Sequence, residues 1–242
     1  GWYDTIDNLE VSKKLLESVI EFGKKRKLEF VDGPVGFSNM DKAGLLIEGY
    51  EELNTMITWY HYPYQKEHLK KLGFSKLAEW VEYKIKIFSA EDAPEKVKKF
   101  SKIIQQRYEL KVLNFKSRKE IIPYVDKMFE LLNVTYSNLQ TYVTIKQYQI
   151  DFYKEKFIKY IHPDFIKCCL DKDDNLIAFL ITMPSFSRAL KKINGKMGLM
   201  GYLHLFKAQH FNDRVSLYLI GVDPKYQSKG VTAVIFNELQ NT

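Results

Sequence analysis

The sequence predicts an α/β (α+β) fold, on three observations. Short apolar or alternating runs recur between longer stretches of helical periodicity. Two runs, Phe165–Leu170 and Leu176–Met183, are separated by Asp171-Lys172-Asp173-Asp174-Asn175, a hairpin turn that makes them antiparallel neighbours. A third apolar run, Val215–Val222, passes through a short polar loop directly into the helical Val231–Leu239.

The bulk composition supports a folded chain. The 242 residues fit one large domain or two small ones, and 45% hydrophobic with 14% aromatic residues is enough for a core. Lys+Arg 37 against Asp+Glu 30 gives a net charge of +7. That balance suits an anionic ligand such as a phosphorylated cofactor, or else a solvated lysine-rich surface. Charges of both signs alternate and no Arg-rich arm occurs, which argues against a nucleic-acid partner. No apolar run approaches the roughly 18 residues needed to span a bilayer, and no signal peptide opens the chain, so no membrane partner is expected. The two cysteines, Cys168 and Cys169, are adjacent, where a disulfide would be strained and no metal spacing exists. A reduced, cytoplasmic protein is expected. Gly1 in place of an initiator Met points to a fragment.

In order, Trp2–Thr5 reads as the end of a strand, and Asp7 or Asn8 as the cap of a helix carrying Leu9, Leu15, Leu16, Val19, Ile20 and Phe22. Leu28–Val31 reads as a short strand, and residues 33–49 as a Gly-rich loop. Gln65–Lys71 is helical, Gly73-Phe74 ends it, and the alternating Trp80–Ile87 reads as a strand. Asp92-Ala93-Pro94-Glu95 starts a helix reaching Arg107, taken as a connector. Then come the strand Tyr108–Phe115, the helix Ser117–Leu132 with Pro123 in an early turn or kink, and the helix Tyr148–Tyr160. The hairpin follows, then an excursion over Pro184–Asp213 holding the helix-like Gly201–Gln209.

The chemistry concentrates in Val215–Leu239. A strand that enters a glycine-containing loop and opens into a helix is an anion site: the first helical amides have no backbone partner, and the helix dipole adds partial positive charge. Gly230 tolerates positive φ or close approach of a phosphate, and Lys229 adds a point charge.

Val222-Asp223-Pro224 followed by Gln227, Gly230 and Thr232 resembles motif A of the GNAT superfamily of acyl-CoA N-acyltransferases, V-x-P then [Q/R]-x-x-G-x-[G/A]. Thr232 departs from the pattern, standing where the family has Gly or Ala. The resemblance implies a mixed, largely antiparallel sheet flanked by helices. It also implies acetyl-CoA or another acyl-CoA as donor, and an amine on a small molecule or peptide as acceptor. Main-chain groups of Ile220, Gly221 and Val222 would face the pantetheine and thioester. The amides of Gln227, Ser228, Lys229, Gly230, Val231 and Thr232 would hold the pyrophosphate. The family's fifth strand and the helix bearing its acid tyrosine do not follow in this sequence.

The first part resembles complementary pieces of the same family. Ser12-Lys13-Lys14-Leu15-Leu16 echoes the G-x-x-L-L helix start, and His68–Phe74 followed by Trp80–Ile87 echoes the Y-x-x-x-G-F helix end and final strands. The chain thus resembles part of a bacterial tandem GNAT protein cut at both ends: residues 1–89 a degenerate half lacking the phosphate loop, 90–107 a connecting helix, and 108–242 a half with the acyl-CoA motif. In the first half Asp7 and Glu10 stand at the loop positions, and two carboxylates there repel a pyrophosphate. Leu69 stands where the acid tyrosine is expected.

Remaining candidates are sparse. The five histidines show no metal spacing, so no metal is expected, and His204 is retained as a candidate base. By period-two alternation Ser216 and Tyr218 share a face with Ile220, which makes Tyr218 the candidate catalytic residue. The loop 33–49 with Tyr60, Tyr62 and Tyr64 is a candidate pocket lining. The expected function is acyl-CoA-dependent N-acyl transfer, most simply acetyl transfer. The alternatives are a non-catalytic ligand-binding protein and an aminoacyl-tRNA-dependent transferase.

Overall fold

In the computed structural model, the described residues are 2–38, 40–86, 94–139, 142–157, 161–211 and 213–240. The chain divides into two compact units, one of residues 1–82 and 186–206, the other of residues 83–185 and 207–242. Mixed α/β architecture is present, with a four-stranded antiparallel sheet in the second unit.

The first unit is built on α1 (Leu9–Lys25) and α2 (Pro63–Lys71), with α6 (Ser187–Ile193) and the larger part of α7 (Leu199–His210). Asn8 caps α1: its side-chain oxygen accepts from the amides of Glu10 (3.0 Å) and Val11 (3.3 Å). Pro63 opens α2 in a position where its missing N–H costs no hydrogen bond, and Gln65 returns its side-chain oxygen to the Tyr62 amide at 2.9 Å. Between the two helices, the buried Ser12 hydroxyl lies 2.8 Å from His68 Nδ1, and His68 Nε2 lies 3.3 Å from Asp7. Ser12 is fully buried, so this Ser–His–Asp arrangement is a polar pin between helices and not a reachable nucleophile.

The strands expected at Trp2–Thr5, Leu28–Val31 and Trp80–Ile87 are not formed: none of their described residues belongs to a ladder, and Ile87 lies outside the described residues. Alternation defines the faces of an extended segment, but a strand exists only where a neighbour pairs with it.

The second unit begins its regular structure with α3 (Glu95–Arg107), capped by Pro94. Asp92 and Ala93 of the expected connector lie outside the described residues, and α3 packs on α8 (Val231–Gln240) inside the unit. The sheet runs β1 (Lys111–Asn114), β2 (Ile166–Leu170), β3 (Leu176–Pro184), β4 (Val215–Val222), each antiparallel to the next. Both α4 (Arg118–Tyr136) and α5 (Gln147–Phe157) match expected helices, although α4 runs one turn beyond Leu132 and residues 158–160 lie outside the described residues. Pro123 sits inside α4 on its exposed side, so the carbonyl it leaves unpaired is open to water and the helix continues.

Residues alternate between the two faces of this sheet. Cys169, Ala178 and Leu180 lie with Val231, Val234 and Ile235 of α8 and with Ile104 of α3 in one core. Cys168, Phe179 and Gly221 face the other way, on the side where α4 brings Ile121, Met128, Leu131 and Leu132. Both thiols are free and buried, and burial pushes the Cys169 thiol up to about 12 and Cys168 further up. The β2 strand also buries Lys167, whose ammonium donates to Asn114 Oδ1 at 2.7 Å, and burial lowers its pKa.

The Ser12–His68 pin gives a stability prediction. Ser12→Ala leaves His68 Nδ1 buried without its partner and is expected to lower the stability of the first unit by about 1–3 kcal/mol. A calorimetric melt that is unchanged for this variant would rule out the pin.

Candidate functional site

Strand β4 is the edge of the sheet among the described residues, pairing with β3 alone. Gly221 lies directly opposite Phe179, and a Cβ built there would sit 2.5 Å from the Phe179 ring. A side chain at 221 would displace this ring from the fully buried core, so glycine is required for packing at this point.

A register shift falls between Ile181 and Thr182: Ile181 pairs with Leu219, but Thr182 pairs with Leu217. Tyr218 is therefore the extra residue of a β-bulge. The bulge reverses the alternation, so Ser216, opposite Met183, shares the face of Leu219 and not that of Ile220. The expectation that Ser216, Tyr218 and Ile220 line one face is corrected on this ground. The phenol of Tyr218 is half-buried, and burial raises its pKa, so at neutral pH it is a proton donor and not a base.

Beyond Val222, the ladder continues for one bond, Asp223 N–H to the Ile177 carbonyl at 2.8 Å. The Asp223 carboxylate then accepts from the Lys225 amide at 2.8 Å and turns the chain through the 3₁₀ segment Pro224–Tyr226. The amides of Tyr226, Gln227 and Lys229 are satisfied within the turn. Gln227 Nε2 donates to the Val222 carbonyl at 3.1 Å, tying the loop back to the strand end. Ser228 (φ +61°) and Gly230 (φ +82°) both take left-handed conformations.

The amides of Ser228, Gly230, Val231 and Thr232 have no hydrogen-bond partner among the described residues. Gly230, immediately before α8, has no side chain with which to cap the helix. A run of open amides at an uncapped helix start is an anion-binding arrangement. Lys229 adds positive charge close by, its ammonium 5.2 Å above the Tyr226 ring and 5.5 Å above the Tyr108 ring. Tyr226 in turn directs its hydroxyl to Asp171 at 3.5 Å, which links the loop to the β2–β3 turn.

Gly230 has a second role that the sequence did not show. A Cβ there would lie 3.0 Å from the Phe100 ring and 3.1 Å from Ile104, so the residue is a packing point for α3 as well as a turn. Tyr136 was also missed. Its hydroxyl donates to the Ile220 carbonyl at 3.1 Å, and burial raises its pKa. The helical stripe Met128, Leu132 and Tyr136, running past the expected helix end, signals that Tyr136 faces inward, though not which group it meets.

Ile220, Gly221, Val222 and the loop residues Gln227–Thr232 thus lie in one continuous strand–loop–helix, with Tyr218 in the bulge at its N-terminal side. His204 lies on the part of α7 that belongs to the first unit. His162 is 3.4 Å from Asp164, and no group of metal-binding side chains occurs among the described residues. No helix among the described residues is long and apolar enough to cross a membrane.

The glycine–ring contact makes its own prediction. Gly221→Ala is expected to destabilise the second unit by about 1–3 kcal/mol, and Phe179→Leu in the same chain should recover part of the loss. Denaturant titration of the single and double variants measures both, and additive losses would exclude the contact as the cause.

Comparison with known proteins adds little identity. No protein-family model matches the chain, and no solved structure matches it. The chain is similar to Protein YghO of Escherichia coli (strain K12), 22% identical over 241 residues. That alignment covers 97% of this chain but 60% of the relative, so the chain spans less than two thirds of its length.

Proposed function

We propose that the second unit binds the pyrophosphate of an acyl-CoA at the start of α8 and that the protein transfers the acyl group to an amine. The observation that carries this reading is the set of open amides at Ser228, Gly230, Val231 and Thr232. They follow a V-x-P strand end, and the donor is acetyl-CoA in the simplest case. In the transfer, the amine nitrogen bonds the acyl carbon, the carbon–sulfur bond breaks, and the thiol leaves with a proton. The acceptor class is a small-molecule or peptide amine. A cytoplasmic setting agrees with the free cysteines.

One observation favours the non-catalytic alternative. The Tyr136 hydroxyl already occupies the Ile220 carbonyl, one of the main-chain groups expected to meet the donor. Acetyl-CoA binding without thiol release across a panel of amines would select that alternative.

Gly230 is a poor site for the decisive substitution, because a side chain there meets Phe100 and Ile104. Thr232 is exposed on the first turn of α8, so Thr232→Glu changes charge without disturbing the core. A carboxylate at that amide cluster is expected to weaken acetyl-CoA binding at least about five-fold, by repulsion of about 1–4 kcal/mol. Isothermal titration reads this directly, and equal affinity in both proteins would remove the assignment.

A further inference from the structure

A cavity of about 420 Å³ lies wholly within the first unit. That is the size range of a small-ligand site, at its lower end. Aromatic side chains form much of the wall: Trp2 and Trp59 approach to 5.5 Å between ring centroids, and Tyr60 and Tyr62 meet edge to face at 5.6 Å. Pro34, Lys42 and Gly44 bring in the glycine-rich loop, and the Gly44 amide is tied to the Pro34 carbonyl at 2.8 Å.

Two opposite charges line this cavity without pairing. The ammonium of Lys42 lies 4.1 Å above the Trp59 ring and has no carboxylate partner among the described residues. Burial lowers the pKa of the Lys42 ammonium. The Asp4 carboxylate is positioned by the fully buried Gln65, whose Nε2 donates to Oδ1 at 3.2 Å, and no cation pairs with it among the described residues. His61 adds no third charge. Its Nδ1 accepts from the Leu46 amide at 3.2 Å, and burial lowers its pKa against the pull of Asp4, so it is neutral at pH 7 with its proton on Nε2.

We propose that this cavity binds a small zwitterion with an apolar or aromatic body, its carboxylate on Lys42, its ammonium on Asp4 and its body against Trp2 and Trp59. The chemical class is that of an apolar amino acid or a molecule of similar size. Each charge of such a ligand replaces water at a group that has no ion-pair partner among the described residues, and the aromatic wall supplies apolar contact and a face for the ammonium. A ligand with one charge leaves either Lys42 or Asp4 desolvated and unpaired, which disfavours it. The inference does not rest on the acyl-CoA reading, whose residues belong to the other unit, and it stands or falls without it.

The test is titration of the full chain with L-phenylalanine, L-leucine, 3-phenylpropionate and phenethylamine, followed by tryptophan fluorescence and calorimetry. Saturable binding of at least one amino acid is expected, with L-phenylalanine at least about ten-fold tighter than either singly charged analogue. Lys42→Gln should bring L-phenylalanine down to the level of phenethylamine, and Asp4→Asn to that of 3-phenylpropionate. No saturation by either amino acid overturns the proposal. So does binding of a singly charged analogue as tight as L-phenylalanine, or an unaltered ranking in both variants. The ranking by the unsubstituted protein decides the matter even if a variant folds poorly, and acetyl-CoA titration in parallel keeps the two sites distinguishable.

Discussion

The second unit depends on how closely α8 can be brought to α3 and the sheet. At the entrance to that helix, residue 230 is in a left-handed conformation with the Phe100 ring 3.0 Å from where a Cβ would stand. Glycine is the residue that satisfies both conditions. With α8 seated, Val231, Val234 and Ile235 are buried against Leu180 and Ile104, and the helix axis is fixed by its own core. The open amides at its start inherit that rigidity. An anion site made of backbone gains most from such a support, since its donors cannot reorient independently.

A second glycine makes the equivalent adjustment inside the sheet. Gly221 leaves room for Phe179, which fills the face opposite the α8 core. The adjacent bulge at Tyr218 then changes which residues face which layer. Close packing around two glycines and one bulge is a demanding solution, because a methyl group at either glycine displaces an aromatic ring and a removed bulge residue reverses the faces of β4.

Much of the second unit was legible in the sequence, and the reason is local. The hairpin at Asp171–Asn175 announces itself through turn chemistry, and the structure shows Asp171 accepting from the amides of Asp173 and Asn175. The strand Val215–Val222 is bounded by its own composition and by Asp223-Pro224. The strands expected at Trp2–Thr5, Leu28–Val31 and Trp80–Ile87 were misread over their described residues because alternation is a property of one segment, whereas pairing is a property of two. Likewise the bulge at Tyr218 is invisible in a period-two reading, since it arises from the register against β3. Within the candidate site, the loop and helix start were legible from spacing. The hydroxyl of Tyr136 on the Ile220 carbonyl was not, because a contact between residues 84 positions apart leaves no trace in a local pattern.

The starts of α1 and α8 are chemically opposite in structure. At α1, Asn8 fills the amides of Glu10 and Val11 with its own side chain, Asp7 stands beside them, and Ser12 is buried against His68. The Asn8 cap and the neighbouring Asp7 carboxylate meet the positive end of the helix dipole from within the protein. At α8, the residue in the corresponding place is a glycine with no side chain, and the neighbouring charge is Lys229. A helix start left uncapped costs stability unless water or a ligand meets its donors. That cost is avoidable, as α1 shows. Its persistence at α8 is therefore the physical argument for an anion there, whereas α1, capped from within by Asn8, offers no such opening.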